Sequence, residues 1–360
     1  MKNTFFAPGR TELAGNHTDH QRGRILAAGI DVGITAVCEK NNDNIIRVKS
    51  QGYDAIEVDL KKLDVRPEEF GSSAGLVRGV AAAMKDLCVD IGGFNAEVSS
   101  TIQAGSGLSS SAAYAVLMGK ILNYYYNNNE LEPIVLARVA QTAENSHFGK
   151  PCGLMDQLAS ALGQTIYVDF STMDIQEINA DFSDMGLQLC LTDTGGSHAG
   201  LETSYARIPA DMNYVATCFG KTVLSEIDPD EFRTQNWDLK SRHVRRAKHF
   251  FDENERVPLM RDALMKKDAQ TYMRLMNESG RSSEKYLNNI VTSTTGDTKL
   301  QEGLELSAKL LNGKGAWRVH GGGFAGCVQA LMPIEYFIEY KKIMEEKFGI
   351  GKCREINLGK

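Results

Sequence analysis

The stretch Ala104-Gly105-Ser106-Gly107-Leu108-Ser109-Ser110-Ser111-Ala112-Ala113 offers the densest chemistry in the chain. Glycines let a backbone turn sharply and come close to a ligand. Serines at the start of a helix add hydroxyls to unpaired N–H groups and to a dipole that draws in anions. The loop from Gly105 to Ser111 could therefore cradle a phosphate. It could equally be a strand-to-helix turn with a serine cap. It is not a P-loop, because no Gly-Lys-Ser/Thr follows at the required spacing. Near the start of the chain, Asn16, His17 and Asp19 bring an amide, an imidazole and a carboxylate within four residues. Such groups can bind several hydroxyls at once, and Asn and Asp also suit plain turns. Asp156 lies in an otherwise uncharged stretch, 151–165, as a buried capping residue or a functional carboxylate. Glu144, twelve positions earlier, reads by itself as a solvated helix carboxylate.

These residues need elements to hold them. Residues 94–99 alternate like a strand and lead into the glycine–serine loop. Beyond it, Ala113, Val116, Leu117, Ile121 and Tyr124 repeat at helical spacing. Further strands are expected at 45–48, 55–60, 164–170 and 187–192. Pro133 begins a helix ending near His147, with Leu136, Val139, Ala140 and Ala143 on one face. Helical patterns span 204–226, 241–253, 262–276 and 298–311. A strand at 316–320 enters a second glycine-rich segment, a strand at 327–332 leaves it, and 334–348 forms a final amphipathic helix. This is an α+β order and not a regular βα alternation.

Composition narrows the class of protein. A chain of 360 residues can build two domains with a substantial core. Its formal charge is −6 and it has no long basic run, which argues against nucleic acid as a partner. The basic cluster 240–248 reads as a solvated helix face. No apolar run approaches a membrane span, and the first residues lack the apolar core of a signal peptide. Seven scattered cysteines without a CxxC pair suit reduced thiols, so a cytoplasmic location is expected and a zinc site is not.

The glycine–serine loop belongs with four other segments. These are Ala7-Pro8-Gly9-Arg10-Thr11-Glu12-Leu13-Ala14-Gly15-Asn16-His17-Thr18-Asp19-His20, Pro151-Cys152-Gly153-Leu154-Met155-Asp156-Gln157, Arg245-Arg246-Ala247-Lys248-His249 with Glu253 to Arg256, and His320-Gly321-Gly322-Gly323-Phe324-Ala325-Gly326-Cys327. In this order they resemble the GHMP kinases. The first resembles the galactokinase signature G-R-x-N-L-I-G-E-H-T-D-Y, of which Gly9, Arg10, Leu13, Gly15, His17, Thr18 and Asp19 are kept.

The resemblance implies an α+β, two-domain GHMP kinase fold. A ribosomal-protein-like N-terminal domain would cover 1–180, a ferredoxin-like C-terminal domain 181–360, with the active site in the cleft between them. It implies ATP-dependent phosphorylation of the anomeric hydroxyl of a hexose, D-galactose first, with Mg2+. By that resemblance Gly105, Ser106, Gly107, Leu108, Ser109, Ser110 and Ser111 would hold the ATP phosphates, and Ser111 with Glu144 the magnesium. Asp156 would be the catalytic base and Arg10 would stabilise the charge that develops. Asp19 would bind ring hydroxyls around C3 and C4, Asn16 and His17 would lie near the hydroxyl on C6, and Gly153 would offer a backbone N–H.

The departures gather on the sugar side. Asn16 stands where galactokinases carry glutamate, His20-Gln21 where they carry Tyr-Asn, and Thr194-Gly195-Gly196 replaces an Asn-containing segment. An amide at Asn16 would tolerate a carboxylate on C6, and His20-Gln21 resembles plant galacturonokinases. Galacturonate is therefore the alternative substrate. A catalytically silent sugar sensor is a third reading, and the intact Arg10, Ser111, Glu144 and Asp156 count against it. The oligomeric state is left open, a monomer included.

Overall fold

Strands that are apolar on one face build a half-covered sheet, and strands apolar on both faces lie inside. The second kind sets the centre of this protein. The computed structural model describes residues 2–102, 107–196, 201–238, 240–291 and 296–359. Its first sheet contains β1 (Asn3–Ala14), β2 (Arg24–Lys40), β3 (Ile45–Ser50), β4 (Ile56–Asp59), β5 (Phe94–Ser100), β6 (Thr165–Asp169) and β7 (Asp174–Ile178). The order is β4-β3-β5-β2-β6-β7, with β1 paired to β2 as well. β2 is the axis. β1 runs along one side of it; β6 and β5 share the other, at residues 24–28 and 34–40 of β2. Between those pairings the chain's last segment comes in. Leu358 bridges to Ile30, Gly359 donates to the Gly29 carbonyl at 2.7 Å, and Asn357 Nδ2 donates to Asp31 at 2.8 Å.

The second sheet, β8 (Leu187–Asp193), β9 (Ala316–His320), β10 (Cys327–Pro333) and β11 (Cys353–Ile356), is antiparallel in the order β11-β8-β10-β9. Helices α1 (Ser73–Asp86), α2 (Ser110–Tyr126) and α4 (Met155–Leu162) pack on the first sheet, and α3 (Pro133–Ser146) packs on those three helices. They are followed by α5 (Glu202–Cys218), α6 (Pro229–Thr234), α7 (Arg242–Met265), α8 (Ala269–Ser282), α9 (Lys299–Leu311) and α10 (Ile334–Phe348). Strands change sheet between Ile178 and Leu187, yet one apolar core joins Leu26, Ile46 and Leu117 to Leu189, Met260 and Leu331. Among the described residues no helix is long and apolar enough to cross a membrane.

Three expectations differ from the fold. The helical patterns 241–253 and 262–276 are divided elsewhere, because α7 continues through Pro258 to Met265. An interior proline costs a helix about 3 kcal/mol. Here Val257 and Met260, both fully buried, sit beside it and offset that cost by packing. The pattern 204–226 stops at Cys218, because Gly220 turns the chain at φ +67 and Leu224–Glu226 makes only a single tight turn. The basic cluster is a solvated face only in part, with Lys240 exposed. Arg242 and Arg246 converge on Asp211 at 2.5 and 2.7 Å, and Arg246 and Asp211 are buried.

Candidate active site

Arg10 lies on β1 where the pairing with β2 shifts register between Pro8 and Arg10. Such shifts re-aim a side chain. The guanidinium grips Asp156, in the first turn of α4, by Nε at 2.6 Å and Nη2 at 3.0 Å. Nη1 donates to the Gly107 carbonyl at 2.6 Å, and the Arg10 backbone N–H to the Leu108 carbonyl at 3.2 Å. One arginine thus ties three distant segments together. Burial would raise the Asp156 carboxyl, but Arg10, with Lys150 and the Ser109 hydroxyl, holds it below its ordinary value. Asp156 is an ionised carboxylate able to accept a proton, and it is not a helix cap.

Of the expected phosphate loop, Gly105 and Ser106 lie outside the described residues. Leu108 is buried packing. Ser110 faces solvent. Ser109 occupies the cap position of α2 in the left-handed region, φ 56° and ψ 55°, yet its side chain makes no capping bond. It donates to Asp156 instead. The serine-cap reading fails because the hydroxyl is committed elsewhere. Ser111 donates to Glu144 Oε1 at 2.5 Å, and Gln157 Nε2 holds Oε2.

Glu144 is 1% exposed and so is not the solvated carboxylate its sequence context suggests. The Lys150 ammonium lies 3.6 Å from Glu144 and 3.4 Å from Ser111. The Ser111 hydroxyl at the start of α2 and the Glu144 carboxylate in the last turn of α3 are hard oxygen donors and fit Mg2+. Among the described residues no three His, Cys, Asp or Glu side chains gather to cage a metal. The pair could therefore hold a cation only together with phosphate and water.

Asp19 and Gly153 form the other wall. A Cβ on Gly153 would fall 1.8 Å from Asp19 Oδ2, so only glycine lets the carboxylate lie against that backbone. Asp19 Oδ1 accepts from the His20 N–H at 2.9 Å. Burial first, and then the negative charge of Asp156, push Asp19 up to about 7. An open cavity of about 520 Å³ is lined by Asp19, His20, Cys152, Gly153 and Leu154.

Asn16 and His17 are placed differently from the expectation. Asn16 is 1% exposed. Its Nδ2 donates to Gly321 O at 2.6 Å and to both Glu12 oxygens at 3.3 Å; its Oδ1 accepts from Ser283 at 3.0 Å and Asn289 at 3.3 Å. No valence of the amide remains for a hydroxyl on C6. His17 is spent as well. A carbonyl can only accept, so His17 Nε2–H donates to Gly322 O at 3.0 Å, and the other nitrogen accepts from His20 Nε2 at 3.2 Å. Burial pushes His17 down to about 4, which keeps it neutral. Both residues fasten β1 to the segment after β9.

Sequence reasoning missed Glu12. It is buried and paired with the equally buried Arg318, which also bonds Ser279 and Gln329, each at 3.0 Å. The signal was in the signature. Where galactokinases carry Asn and then Glu four residues later, this chain carries Glu12 and then Asn16. The two side chains touch, so the charge has moved across one contact and has not been lost.

Comparison with known proteins identifies the family. The family description "GHMP kinases N terminal domain" matches residues 75–164, and "Galactokinase galactose-binding signature" matches residues 2–40. A protein named galactokinase from Glaesserella parasuis serovar 5 is 30% identical over 356 residues, covering 96% of this chain and 89% of the relative. The crystal structure of Lactococcus lactis galactokinase complexed with galactose superposes with a TM-score of 0.88 at 24% identity, over 99% of this chain and 94% of that one. Methanococcus jannaschii mevalonate kinase superposes with a TM-score of 0.71 at 17% identity, over 100% and 99%. At those identities the two structures speak for the fold alone.

Proposed function

The chain belongs to the GHMP kinases, phosphotransferases acting on an alcohol group, and on that premise we propose that it phosphorylates the anomeric hydroxyl of a hexose from ATP, with D-galactose as substrate. The observation that carries this reading is the juxtaposition of an ionised Asp156, clamped by Arg10 and Ser109, with the Asp19–Gly153 wall. In this proposal Asp156 takes the proton of the anomeric hydroxyl. Arg10 stabilises the alkoxide and the phosphoryl oxygens as charge moves between them. Asp19 accepts hydrogen bonds from ring hydroxyls, and Gly153 lets the sugar approach the backbone. The N-terminus of α2 with Gly107 to Ser111 receives the phosphates. Ser111 and Glu144 hold Mg2+, which would neutralise phosphate charge.

Galacturonate rests on Asn16 and on the pair His20-Gln21. Because Glu12 keeps the carboxylate that Asn16 lacks, the exchange gives no reason to admit a second carboxylate on the substrate. The test is kcat/KM with ATP across galactose, galacturonate, neutral C6 variants and mevalonate. We expect galactose to lead. A clear preference for galacturonate, or transfer to mevalonate alone, would overturn the assignment.

A further inference from the structure

His320 ends β9 just before the glycine segment and is 3% exposed. Its Nε2 receives the Glu12 backbone N–H at 3.3 Å and lies 3.1 Å from Thr11 Oγ1. A backbone N–H can only donate, so Nε2 is the acceptor. Thr11 in turn accepts from Gln329 Nε2 at 3.0 Å, which leaves its own proton for the imidazole. In a neutral ring the remaining proton then sits on Nδ1. Burial, with the charges of Arg10 and Arg318, pushes His320 well below its ordinary pKa, so the ring is neutral. Nδ1 is buried and has no hydrogen-bond partner among the described residues. An N–H left that way destabilises the protein unless a ligand completes it.

The neighbour of this donor suggests the ligand. A Cβ built on Gly107 would lie 3.5 Å from His320 Nδ1. Gly107 is also the residue whose carbonyl Arg10 holds, three positions before α2 begins. We propose that His320 binds the nucleotide: its Nδ1–H donates to a phosphoryl oxygen of ATP seated over Gly107 to Ser111. The proposal rests on the kinase reading above. Thr11 and Glu12 fix the ring before any ligand arrives, so the donor is oriented in advance. A sugar phosphate would present the same oxygen chemistry, and the test separates the two.

Long-range 1H–15N spectra of the wild-type protein, with the His320 signal assigned by its loss in His320→Gln, report the ring directly. We expect the Nδ1–H tautomer in the free protein. Its proton should shift when a non-hydrolysable ATP analogue with Mg2+ is added, and stay put with galactose or galactose 1-phosphate. In calorimetry, His320→Gln keeps a polar group towards Thr11 and Glu12 but loses the Nδ1 donor. It should bind the analogue roughly ten- to hundred-fold more weakly, with galactose affinity unchanged. An Nδ1–H signal that ignores the analogue, or a folded His320→Gln with wild-type analogue affinity, overturns the proposal and leaves the kinase reading standing. A response to galactose 1-phosphate alone also overturns it. A wild-type protein that binds no analogue at all removes both.

Discussion

Arg10 and Glu12 stand two residues apart on β1, and each pairs with an opposite charge from a distant segment. The two pairs differ in what is left over. Around Glu12 the hydrogen bonds close on themselves. Arg318 is shared with Ser279 and Gln329, and Asn16 is shared with Gly321, Ser283 and Asn289. Around Arg10 they stop at a loop and a cleft. Asp156 is held from one side, and only Oδ1 of Asp19 is hydrogen-bonded among the described residues. Burying a charged pair is costly in both places, so neither pair is explained by stability alone. The closed network fastens β1 to the second sheet. The open one leaves polar atoms facing the cleft, where the proposed substrate would lie.

That contrast breaks first if Asp156 is dispensable. Asp156→Asn keeps the shape of the Arg10 clamp but cannot take a proton. We expect kcat to fall about a hundred- to ten-thousand-fold, with nucleotide and galactose affinities near wild type. Steady-state kinetics and calorimetry on the same folded sample decide it, and a kcat within a few-fold of wild type would show that the open region does no proton chemistry.

The closed network should answer in stability and not in specificity. Asn16→Glu sets a second carboxylate against Glu12, and we expect a loss of about 3–5 kcal/mol in denaturant unfolding. Glu12→Asn with Asn16→Glu restores one charge to the contact and should recover most of that loss. If the single variant is as stable as wild type and only its sugar preference changes, the assignment of Asn16 to the framework is wrong.

Asp19 sharpens the comparison by pH. Its folded pKa, about 7, lies above the ordinary carboxylate value, so the folded protein holds this proton more tightly than the unfolded chain does. The stability it contributes is present in acid and is lost as pH rises through about 7. In the proposed function sugar binding would run the other way, because the ionised form accepts hydroxyl protons on both oxygens. The galactose KM should fall a few-fold between about pH 6 and 8, and Asp19→Asn should flatten that profile. A flat wild-type profile would remove Asp19 from sugar binding.

Much of the framework was legible because it is local. Pro133 starting α3, the strand at Ala316–His320 and the helix at Ile334–Phe348 follow from periodicity and punctuation within a few residues. β2 was not legible. Its buried stretch around Ile25 to Ile30 is apolar without alternation, since neighbours cover both faces. Pro258 lies inside α7, because burial outweighs local propensity. At the site, the residues that meet across the Arg10–Asp156 clamp were found through ordered motifs. The closure of Asn16 and His17 was not, because their partners at Gly321, Gly322, Ser283 and Asn289 lie more than two hundred residues along the chain.

The pairing of Leu358 with Ile30 has a consequence in time. A ribosome releases the chain from its N-terminus, so Gly29 to Asp31 emerge long before residues 357–359. Once β5 and β6 have paired with β2, a notch stays between them, with backbone groups open to whatever strand comes by. The nascent protein must guard that notch from the time β6 is made until residues 357–359 follow it. A chaperone or a neighbouring copy has its opening there, and the window closes only when the tail arrives.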